Sequence, residues 1–290
     1  MKKFFILIPV YNDWESLFKL LDEINIVVKS INNVEFNCIV VNDSSSIEAP
    51  KFHVPSNIKS IELINMIKNR GHARCNAFGI RYLSTIENYD NVILMDGDGE
   101  DRPEEIKLLA NKALANENVS VVAKRIKRSE GPFFQLLYQI HKLMTFFFTG
   151  KIVNFGNFSC LTKNDIKKIS VKESLWSSFS GTLKYHIQEL NSINSIRGSR
   201  YFGPSKMSLF NLLIHSFSII AVFKKNVFFR SVILIIIASY FISFAPITIS
   251  MFQILLVVFN ILIYLVSLRE NNEQLLNSEK NKKNSIIFSH

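Results

Sequence analysis

Cysteine, proline and glycine are scarce in this chain of 290 residues, which contains 3 Cys, 7 Pro and 10 Gly. The cysteines are isolated from one another and lack the close spacing of a metal site, which is typical of reduced cytoplasmic thiols. The six histidines are scattered in the same way, so a zinc site is not expected. Neither a P-loop nor a G-x-G-x-x-G segment occurs, which excludes P-loop kinases and dinucleotide-dependent oxidoreductases.

Charge is absent from 38 consecutive positions, 231–268, where Ile, Leu, Val and Phe dominate. About 20 apolar residues cross the hydrocarbon core of a bilayer, so this run is long enough for two helices. Pro246 lies near its middle and predicts a turn there. We therefore expect two transmembrane helices forming a hairpin within 227–268. A very hydrophobic core hairpin is the alternative.

Cations flank the apolar run on both sides, with Lys224, Lys225 and Arg230 before it and Arg269 after it. The positive-inside bias predicts a multi-pass protein of the cytoplasmic membrane with both termini in the cytoplasm. The formal net charge of +10 suits an anionic membrane surface. No sequence motif for binding nucleic acid accompanies this charge, so a nucleic-acid partner is not expected.

Short apolar strands alternate with amphipathic helices over the first 125 residues. The strand candidates are 4–10, 36–42, 60–65, 91–96 and 118–124, and the helix candidates are 13–31, 71–87 and 103–116. Strands that are apolar on both faces and alternate with helices predict an α/β sandwich with a mostly parallel sheet. We assign this domain to residues 1–203.

Polar segments follow three of the predicted strands: PVYND at 9–13, NDSSS at 42–46 and DGDGED at 96–101. Each alone is compatible with an ordinary turn or helix cap. In parallel sheets, however, ligands bind at the carboxyl ends of the strands, where these segments would meet. Asp96 and Asp98 are oxygen donors of the kind that Mg²⁺ and Mn²⁺ prefer. Such a cation would bridge a diphosphate and stabilise its departure.

Four ordered segments, IPVYND, VVNDSS, NRGHARCNAFGI and ILMDGDGEDRPEEI, together resemble a family 2 glycosyltransferase with the GT-A nucleotide-sugar-binding fold. The nearest branch is similar to the polyprenol-phosphate sugar synthases of the dolichol-phosphate mannose synthase type. Its D-A-D-L-Q-D-P-P-E segment is D-G-D-G-E-D-R-P-E here, and it matches at Asp96, Asp98, Asp101, Pro103 and Glu104. The resemblance covers about residues 4–223.

The resemblance implies a donor site for a UDP- or GDP-linked sugar. Its nucleotide-sugar-binding residues would be Pro9, Tyr11, Asn12, Asp43, Asn69, Arg70, Gly71 and Asp96. Asp98 would be the principal ligand of Mg²⁺ or Mn²⁺, with Asp96 and Glu100 as further ligands. Glu100 stands where this branch often has Gln, which leaves the metal preference open.

A second signature, RGSRYFGPSK at 197–206, resembles the R-x-x-G-x-S-K segment that leads to the membrane in this branch. It implies that Arg200 and Lys206 act beside Asp96 and Asp98 as catalytic residues that stabilise the departing diphosphate. The acceptor phosphate would be bound by Arg125, Arg128 and Ser205. Without the resemblance, these cations would be ordinary solvated charges. We expect an interfacial amphipathic helix over 204–226 and a polar cytoplasmic tail over 269–290.

The acceptor is less well defined than the donor, because FGNFSCL lacks the arginine of the branch's Asp-Phe-Arg-Leu-like segment. No Glu-Asp pair that could serve as a base occurs between Phe155 and Tyr201. A phosphate acceptor is already ionised and needs no base, so we expect a metal-dependent, inverting transfer to a polyprenyl phosphate.

Two alternatives remain open. One is the transfer of a sugar to a lipid-linked saccharide of a surface polysaccharide, as in O-antigen-like synthesis. The other is a catalytically silent membrane adaptor. Paired membrane helices would also permit a homo-oligomer.

Overall fold

The computed structural model describes residues 1–127, 132–203 and 208–290. Arg128, Ser205 and Lys206, three residues predicted to bind phosphate groups, lie outside these ranges. The strands are β1 (Lys2–Val10), β2 (Val34–Asn42), β3 (Ser60–Met66), β4 (Asn91–Leu94), β5 (Val121–Lys127), β6 (Phe155–Thr162), β7 (Asn191–Ile196) and β8 (Lys282–Ser289). The α-helices are α1 (Trp14–Val28), α2 (His72–Leu83), α3 (Ile106–Ala115), α4 (Pro132–Thr149), α5 (Lys163–Ile169), α6 (Phe179–His186), α7 (Leu209–Ala221), α8 (Lys224–Tyr240), α9 (Pro246–Ser267) and α10 (Asn272–Leu276).

One sheet contains all of these strands, in the order β7-β5-β6-β4-β1-β2-β3-β8. Strand β1 is parallel to β2 and β4, β2 is parallel to β3, and β5 is parallel to β7. Only β6 and β8 run against their neighbours. The predicted α/β fold with a mostly parallel sheet is therefore confirmed.

Helices cover both faces of the sheet, which explains why its central strands read as nearly continuous apolar runs. In β1, Phe4, Ile6 and Ile8 face one core, which also holds apolar side chains of α1 and α3. Phe5 and Leu7 face the other, which is shared with α2, α5 and α6. The first strand thus has no solvent-facing side, and its alternation separates two cores.

The C-terminal segment, which we expected to be a polar tail, folds back onto the sheet. Strand β8 pairs antiparallel with β3, and the Phe288 ring stacks on Phe52 with centroids 5.1 Å apart. Leu275 of α10 is fully buried. Most β8 side chains are exposed, so the segment lacks the apolar alternation that would predict a strand.

Helices α8 and α9 form an antiparallel pair that is joined by a short turn. One candidate membrane span occurs in the described part of the chain, at Pro246–Leu276, with a mean hydropathy of 2.5 and 11% of its apolar window buried. Helix α8 has only 17 residues and carries Lys224, Lys225 and Arg230 in its first two turns. The predicted pair of transmembrane helices is therefore not shown, because only one helix among the described residues is long and apolar enough.

Helix α7 begins within the segment predicted as an interfacial helix. Phe210 near its start is 70% exposed, whereas Ile219 and Ile220 at its far end, and Phe223 just after it, are buried. The buried end packs near α6 and the α8–α9 pair. Helix α7 thus joins the sheet domain to the apolar helices and leaves its first turns open.

Candidate active site

The carboxyl ends of β1, β2, β3 and β4 meet at one edge of the sheet, because these four strands are parallel. Loops from these ends bring together segments that are far apart in sequence. Strand β4 ends at Leu94, and the carboxylate segment 96–101 begins two residues later. This edge is the candidate active site that the sequence predicted.

Asp96 is held by two side chains from other elements. His72 Nε2, at the start of α2, lies 3.2 Å from Asp96 Oδ1. Asn157 Nδ2, on β6, donates a hydrogen bond of 3.1 Å to the same oxygen and lies 2.8 Å from His72 Nε2. The edge therefore has a His72–Asp96–Asn157 group that fixes one carboxylate.

Asp98 accepts a hydrogen bond of 2.5 Å from Arg200 Nη1. The other terminal nitrogen of Arg200 donates to Asp13 Oδ2 over 2.7 Å. Arg200 thus joins the loop after β1 to the loop after β4, although 187 positions separate Asp13 from Arg200. The Arg200 side chain is 16% exposed, and its buried Nε finds no acceptor among the residues described.

Glu100 forms an ion pair with Arg197, which follows β7. The backbone supports this contact, because Gly198 N donates to Glu100 O over 2.8 Å and Tyr201 N donates to Asp98 O over 3.0 Å. Gly99 has a φ of +87°, and a Cβ there would lie 2.6 Å from the Tyr201 ring. Only glycine suits this position, so the loop after β4 and the segment after β7 fold as one unit.

Asp101 is 4% exposed, and its Oδ2 accepts a hydrogen bond of 3.0 Å from the backbone nitrogen of Asp96. Arg125 Nη2 lies 3.8 Å from Asp101 Oδ1. Arg125, which was predicted to bind the acceptor phosphate, therefore lies next to the carboxylate segment.

The electrostatics of this edge combine crowded carboxylates with cations. Burial tends to raise the pKa of Asp96, but His72, Asn157 and Arg125 outweigh burial and hold that pKa well below its ordinary value. Burial and the neighbouring carboxylates of Asp96 and Glu100 raise the pKa of Asp98 to about 6. Desolvation tends to lower the pKa of His72, yet the surrounding carboxylates raise it overall. The raised pKa of Asp98 thus reflects repulsion among carboxylates that are crowded at this edge despite their cationic partners.

Asp43 supports the loop between β3 and α2. It is 4% exposed, and its two oxygens accept backbone hydrogen bonds from Arg70 (2.9 Å) and Gly71 (2.8 Å). Gly71 has a φ of +88°, and α2 begins immediately after it. Asp43, Arg70 and Gly71, which were predicted to contact the nucleotide, therefore form one structural unit. Asn69 lies in the same loop and is exposed.

The three residues predicted at the end of β1 differ in their surroundings. Pro9 is buried within the strand, and Tyr11 is 44% exposed. Asn12 has a φ of +50°, its backbone nitrogen donates to Ser45 Oγ over 2.9 Å, and its Oδ1 accepts from Ile47 N over 3.1 Å. Asn12 thus joins the loops after β1 and β2, and Tyr11 is left at the surface beside them.

The donor chemistry of this edge fits the Mg²⁺ or Mn²⁺ that the resemblance implies. Asp96 and Asp98 offer oxygen ligands, and a cation would relieve the repulsion that Asp96 and Glu100 exert on Asp98. Among the described residues, no three His, Cys, Asp or Glu side chains converge on one point. The predicted ligands instead bind cationic side chains, with Glu100 on Arg197 and Asp98 on Arg200. A metal would therefore compete with Arg200 for Asp98.

Four contributors to this edge were missed by sequence reasoning, namely Asp13, His72, Asn157 and Arg197. His72 and Asn157 fall within quoted segments, but no spacing rule connects them across 85 positions. Asn157 lies in the FGNFSCL segment, where only the missing arginine was noted. Asp13 belongs to PVYND, a segment that alone is compatible with an ordinary turn or helix cap, and its side chain makes no cap hydrogen bond. Only the sheet brings these residues together.

Comparison with known proteins identifies one family and several relatives. The family model described as glycosyl transferase family 2 matches residues 5–164. The undecaprenyl-phosphate 4-deoxy-4-formamido-L-arabinose transferase of Proteus mirabilis is 32% identical over 138 residues, which are 47% of this chain and 40% of that protein. The protein of the same name from Yersinia pestis is 28% identical over 222 residues, which are 73% of this chain and 65% of that protein. The matches thus span less than two thirds of either relative.

A crystal structure of glucosyl-3-phosphoglycerate synthase from Mycobacterium tuberculosis, in complex with Mn²⁺, UDP-glucose and phosphoglyceric acid, has a similar fold. Its TM-score is 0.53 at 14% identity, and the match covers 78% of this chain and 80% of that one. A complex of the same enzyme with Mg²⁺ and UDP gives a TM-score of 0.50. At this identity, the likeness shows the fold alone.

Proposed function

The chain belongs to glycosyl transferase family 2, and from that membership we propose that it transfers a sugar from a nucleotide sugar to a polyprenyl phosphate. One observation carries this proposal: the Asp96–Asp101 segment and Arg200 meet at the carboxyl edge of a parallel sheet. The curated relatives, which bear the name of undecaprenyl-phosphate sugar transferases, support the choice of acceptor.

The donor would lie across the ends of β1, β2 and β4. Its nucleoside would contact the loops that Asp43 and Asn12 hold in place, with Tyr11 exposed beside them. Its diphosphate would approach Arg200, whose guanidinium already binds two carboxylates and retains one unpartnered nitrogen in the described structure. Lys206, which lies outside the described residues, would add a second cation.

A divalent cation held by Asp96 and Asp98 would stabilise negative charge on the departing diphosphate. The bond between the anomeric carbon and the nucleoside diphosphate breaks, and a bond from an acceptor phosphate oxygen to that carbon forms. The resemblance implies inversion at this carbon. Arg200 would stabilise the diphosphate as its charge develops. His72 and Asn157 would fix Asp96 so that its free oxygen faces the sugar.

The surroundings of the site favour a phosphate over a hydroxyl as the acceptor. A hydroxyl needs a carboxylate that removes its proton. Each carboxylate described at this edge already has a partner: Asp13, Asp96, Asp98, Glu100 and Asp101. Glu173, one of the two glutamates between Phe155 and Tyr201, instead lies 4.0 Å from Lys224 at the start of α8. We therefore retain polyprenyl phosphate as the acceptor, with Arg125 and Arg128 as its predicted ligands.

The α8–α9 pair would anchor the chain in the cytoplasmic membrane, as the candidate span in α9 suggests. Because β8 pairs with β3, the chain returns to the sheet domain after α9. A membrane crossing by α9 therefore requires a return crossing by α8, which favours the predicted hairpin with both termini in the cytoplasm. The first turns of α7 would lie at the membrane surface.

A reconstituted transfer assay tests the function. The purified chain in detergent would be incubated with a panel of UDP- and GDP-linked sugars, undecaprenyl phosphate and Mn²⁺ or Mg²⁺. We expect a lipid-linked sugar phosphate by mass spectrometry with the wild-type chain and none with Asp98→Ala. Nucleotide-sugar binding without such a product from any donor would overturn the acceptor assignment. Equal cellular phenotypes of wild type and Asp98→Ala would instead favour the adaptor.

A further inference from the structure

A cavity borders the loop between β3 and α2, which Asp43 supports. It has a volume of about 340 Å³ and lies between that loop and the segment that returns from α9 to β8. Its polar and charged lining residues include Lys68, Arg70, Gln274, Ser278 and Lys280. This volume suits a small molecule that is larger than a single inorganic ion.

Cations dominate this cavity. Lys68, Arg70 and Lys280 line it, and no carboxylate does. Among the described residues, none of these three cations forms an ion pair. Arg74 is a further cation close by. Burial, and then repulsion by Arg269 and Arg70, lower its pKa, which shows that positive charge is crowded in this region. Such a concentration of unpaired positive charge favours an anionic ligand.

One further feature, the side chain of Ser278, indicates that the cavity has hydrogen-bonding capacity to spare. Ser278 lines it and is 3% exposed, and its Oγ has no hydrogen-bond partner within the described structure. A buried hydroxyl without a partner is unfavourable by about 1–3 kcal/mol, so a ligand that reaches it would gain affinity. Trp176 forms one wall, with its Nε1 donating to Gln274 Oε1 over 3.1 Å.

The cavity is separate from the Asp96–Arg200 site but shares a loop with it. Asn281, on the cavity side, accepts from Lys68 N over 3.1 Å and donates to Lys68 O over 3.0 Å. Asp43, on the other side, accepts from Arg70 N and Gly71 N. The loop is therefore held from both sides, and a ligand in the cavity would contact the same segment that borders the donor site.

We propose that this cavity binds a small phosphate-bearing anion through Lys68, Arg70 and Lys280. Lysine and arginine form strong charge-assisted hydrogen bonds with phosphate oxygens, and three cations line this cavity without an acid among its described lining residues. The phosphate could belong to a soluble compound or to an anionic lipid headgroup. The recognition chemistry is the same for both sources.

Trp176 provides a local reporter, because the chain has only two tryptophans. In a Trp14→Phe variant, Trp176 is the sole indole, and we expect inorganic pyrophosphate to change its fluorescence with saturation. Lys280→Ala in this background should weaken the apparent affinity by about 10-fold, as expected for a lost charged hydrogen bond. Lys283→Ala removes an equal charge from β8 outside the cavity and should leave the affinity unchanged.

Arg200→Ala separates this site from the donor site, since pyrophosphate could also bind there. The fluorescence response should persist in Arg200→Ala, even if that variant has lost all transfer activity. Calorimetry of the wild-type chain and Lys280→Ala repeats the test without the Trp14 substitution.

Phosphatidylglycerol vesicles form a second arm of the experiment. A fluorescence response to the vesicles alone, abolished by Lys280→Ala, assigns the phosphate to a lipid headgroup. No response in either arm, or equal responses in Lys280→Ala and Lys283→Ala, would overturn the proposal.

Discussion

Arg200 is the residue on which the proposed donor site depends most. It binds Asp98 and Asp13 simultaneously and connects the loops after β4 and β1. We expect Arg200→Ala to lower kcat/KM by about 100-fold or more, because it removes a cation from the developing diphosphate and releases two carboxylates. The measurement is steady-state transfer with a saturating acceptor.

Arg81, in the last turn of α2, provides a control for this substitution. Arg81 is half-buried there and forms no ion pair among the described residues. Arg81→Ala should therefore retain kcat/KM to within about 2-fold. If both variants lost activity equally, Arg200 would have no specific part in transfer.

Asp43 provides a prediction about nucleotide affinity. Asp43→Asn leaves only one acceptor oxygen for the backbone N–H groups of Arg70 and Gly71. An unsatisfied buried donor costs about 1–3 kcal/mol, so the loop should loosen and the Kd for the donor's nucleotide should rise about 10-fold. Isothermal titration calorimetry with UDP and GDP measures this change.

Asp90→Asn makes the same chemical change at the opposite edge of the sheet. Asp90 Oδ2 accepts a hydrogen bond of 2.8 Å from Lys3 N, at the amino end of β1. We expect this variant to bind the nucleotide with unchanged affinity. An equal loss of affinity in both variants would mean that the effect comes from general destabilisation.

At the scale of elements, β8 adds an aromatic contact to the backbone hydrogen bonds of its pairing with β3. The partly buried Phe288 stacks on Phe52, whereas its neighbour Ile287 is 68% exposed. Phe288→Ala should lower the free energy of unfolding by about 1–3 kcal/mol, below the 3–5 kcal/mol of a fully buried phenylalanine. Ile287→Ala should change it by less than about 0.5 kcal/mol. Denaturant unfolding in detergent compares the two, and equal effects would contradict the contact.

Glu87 gives a prediction about pH, since it joins the loop before β4 to α5. Hydrogen bonds from Lys163 and Lys167 lower the pKa of Glu87 to about 2. Its unfolded value is about 4.3, so the contribution to stability is present above that pH and is lost as pH falls toward 2. The stability difference between wild type and Glu87→Gln should therefore shrink steadily from about pH 5, just above the unfolded pKa, to about pH 2, the folded pKa. A constant difference over this range would contradict the ion pairs.

The sequence predicted strands more accurately where helices bury both faces of the strand. Strands β1, β2 and β4 read as apolar runs because both faces are covered, and their positions were expected to within a few residues. Strand β8 was missed because most of its side chains are exposed. The Asp96 and Asp98 positions followed from strand ends, whereas His72 and Asn157 required the pairing of β6 with β4 to bring them near. Long-range pairing is not encoded in local periodicity.

At the scale of the whole molecule, segments that are far apart in the sequence meet at the sheet. The segment after β7 supplies Arg197 and Arg200 to the β4 loop, and the segment after α9 supplies β8. The apolar α8–α9 pair lies between these two segments in the chain. Contacts at both ends of the α8–α9 pair would therefore set the position of a membrane anchor. The same contacts hold loops of the proposed donor site.

The most direct test of the central claim is the identity of the lipid product and its dependence on metal. Undecaprenyl phosphate, each nucleotide sugar in turn and Mn²⁺ or Mg²⁺ would be incubated with the purified chain, with and without EDTA, and the lipid analysed by mass spectrometry. We predict a product that carries one sugar on the original monophosphate, formed with metal and absent with EDTA. A product formed only on a lipid-linked saccharide, or formed equally with EDTA, would contradict this account.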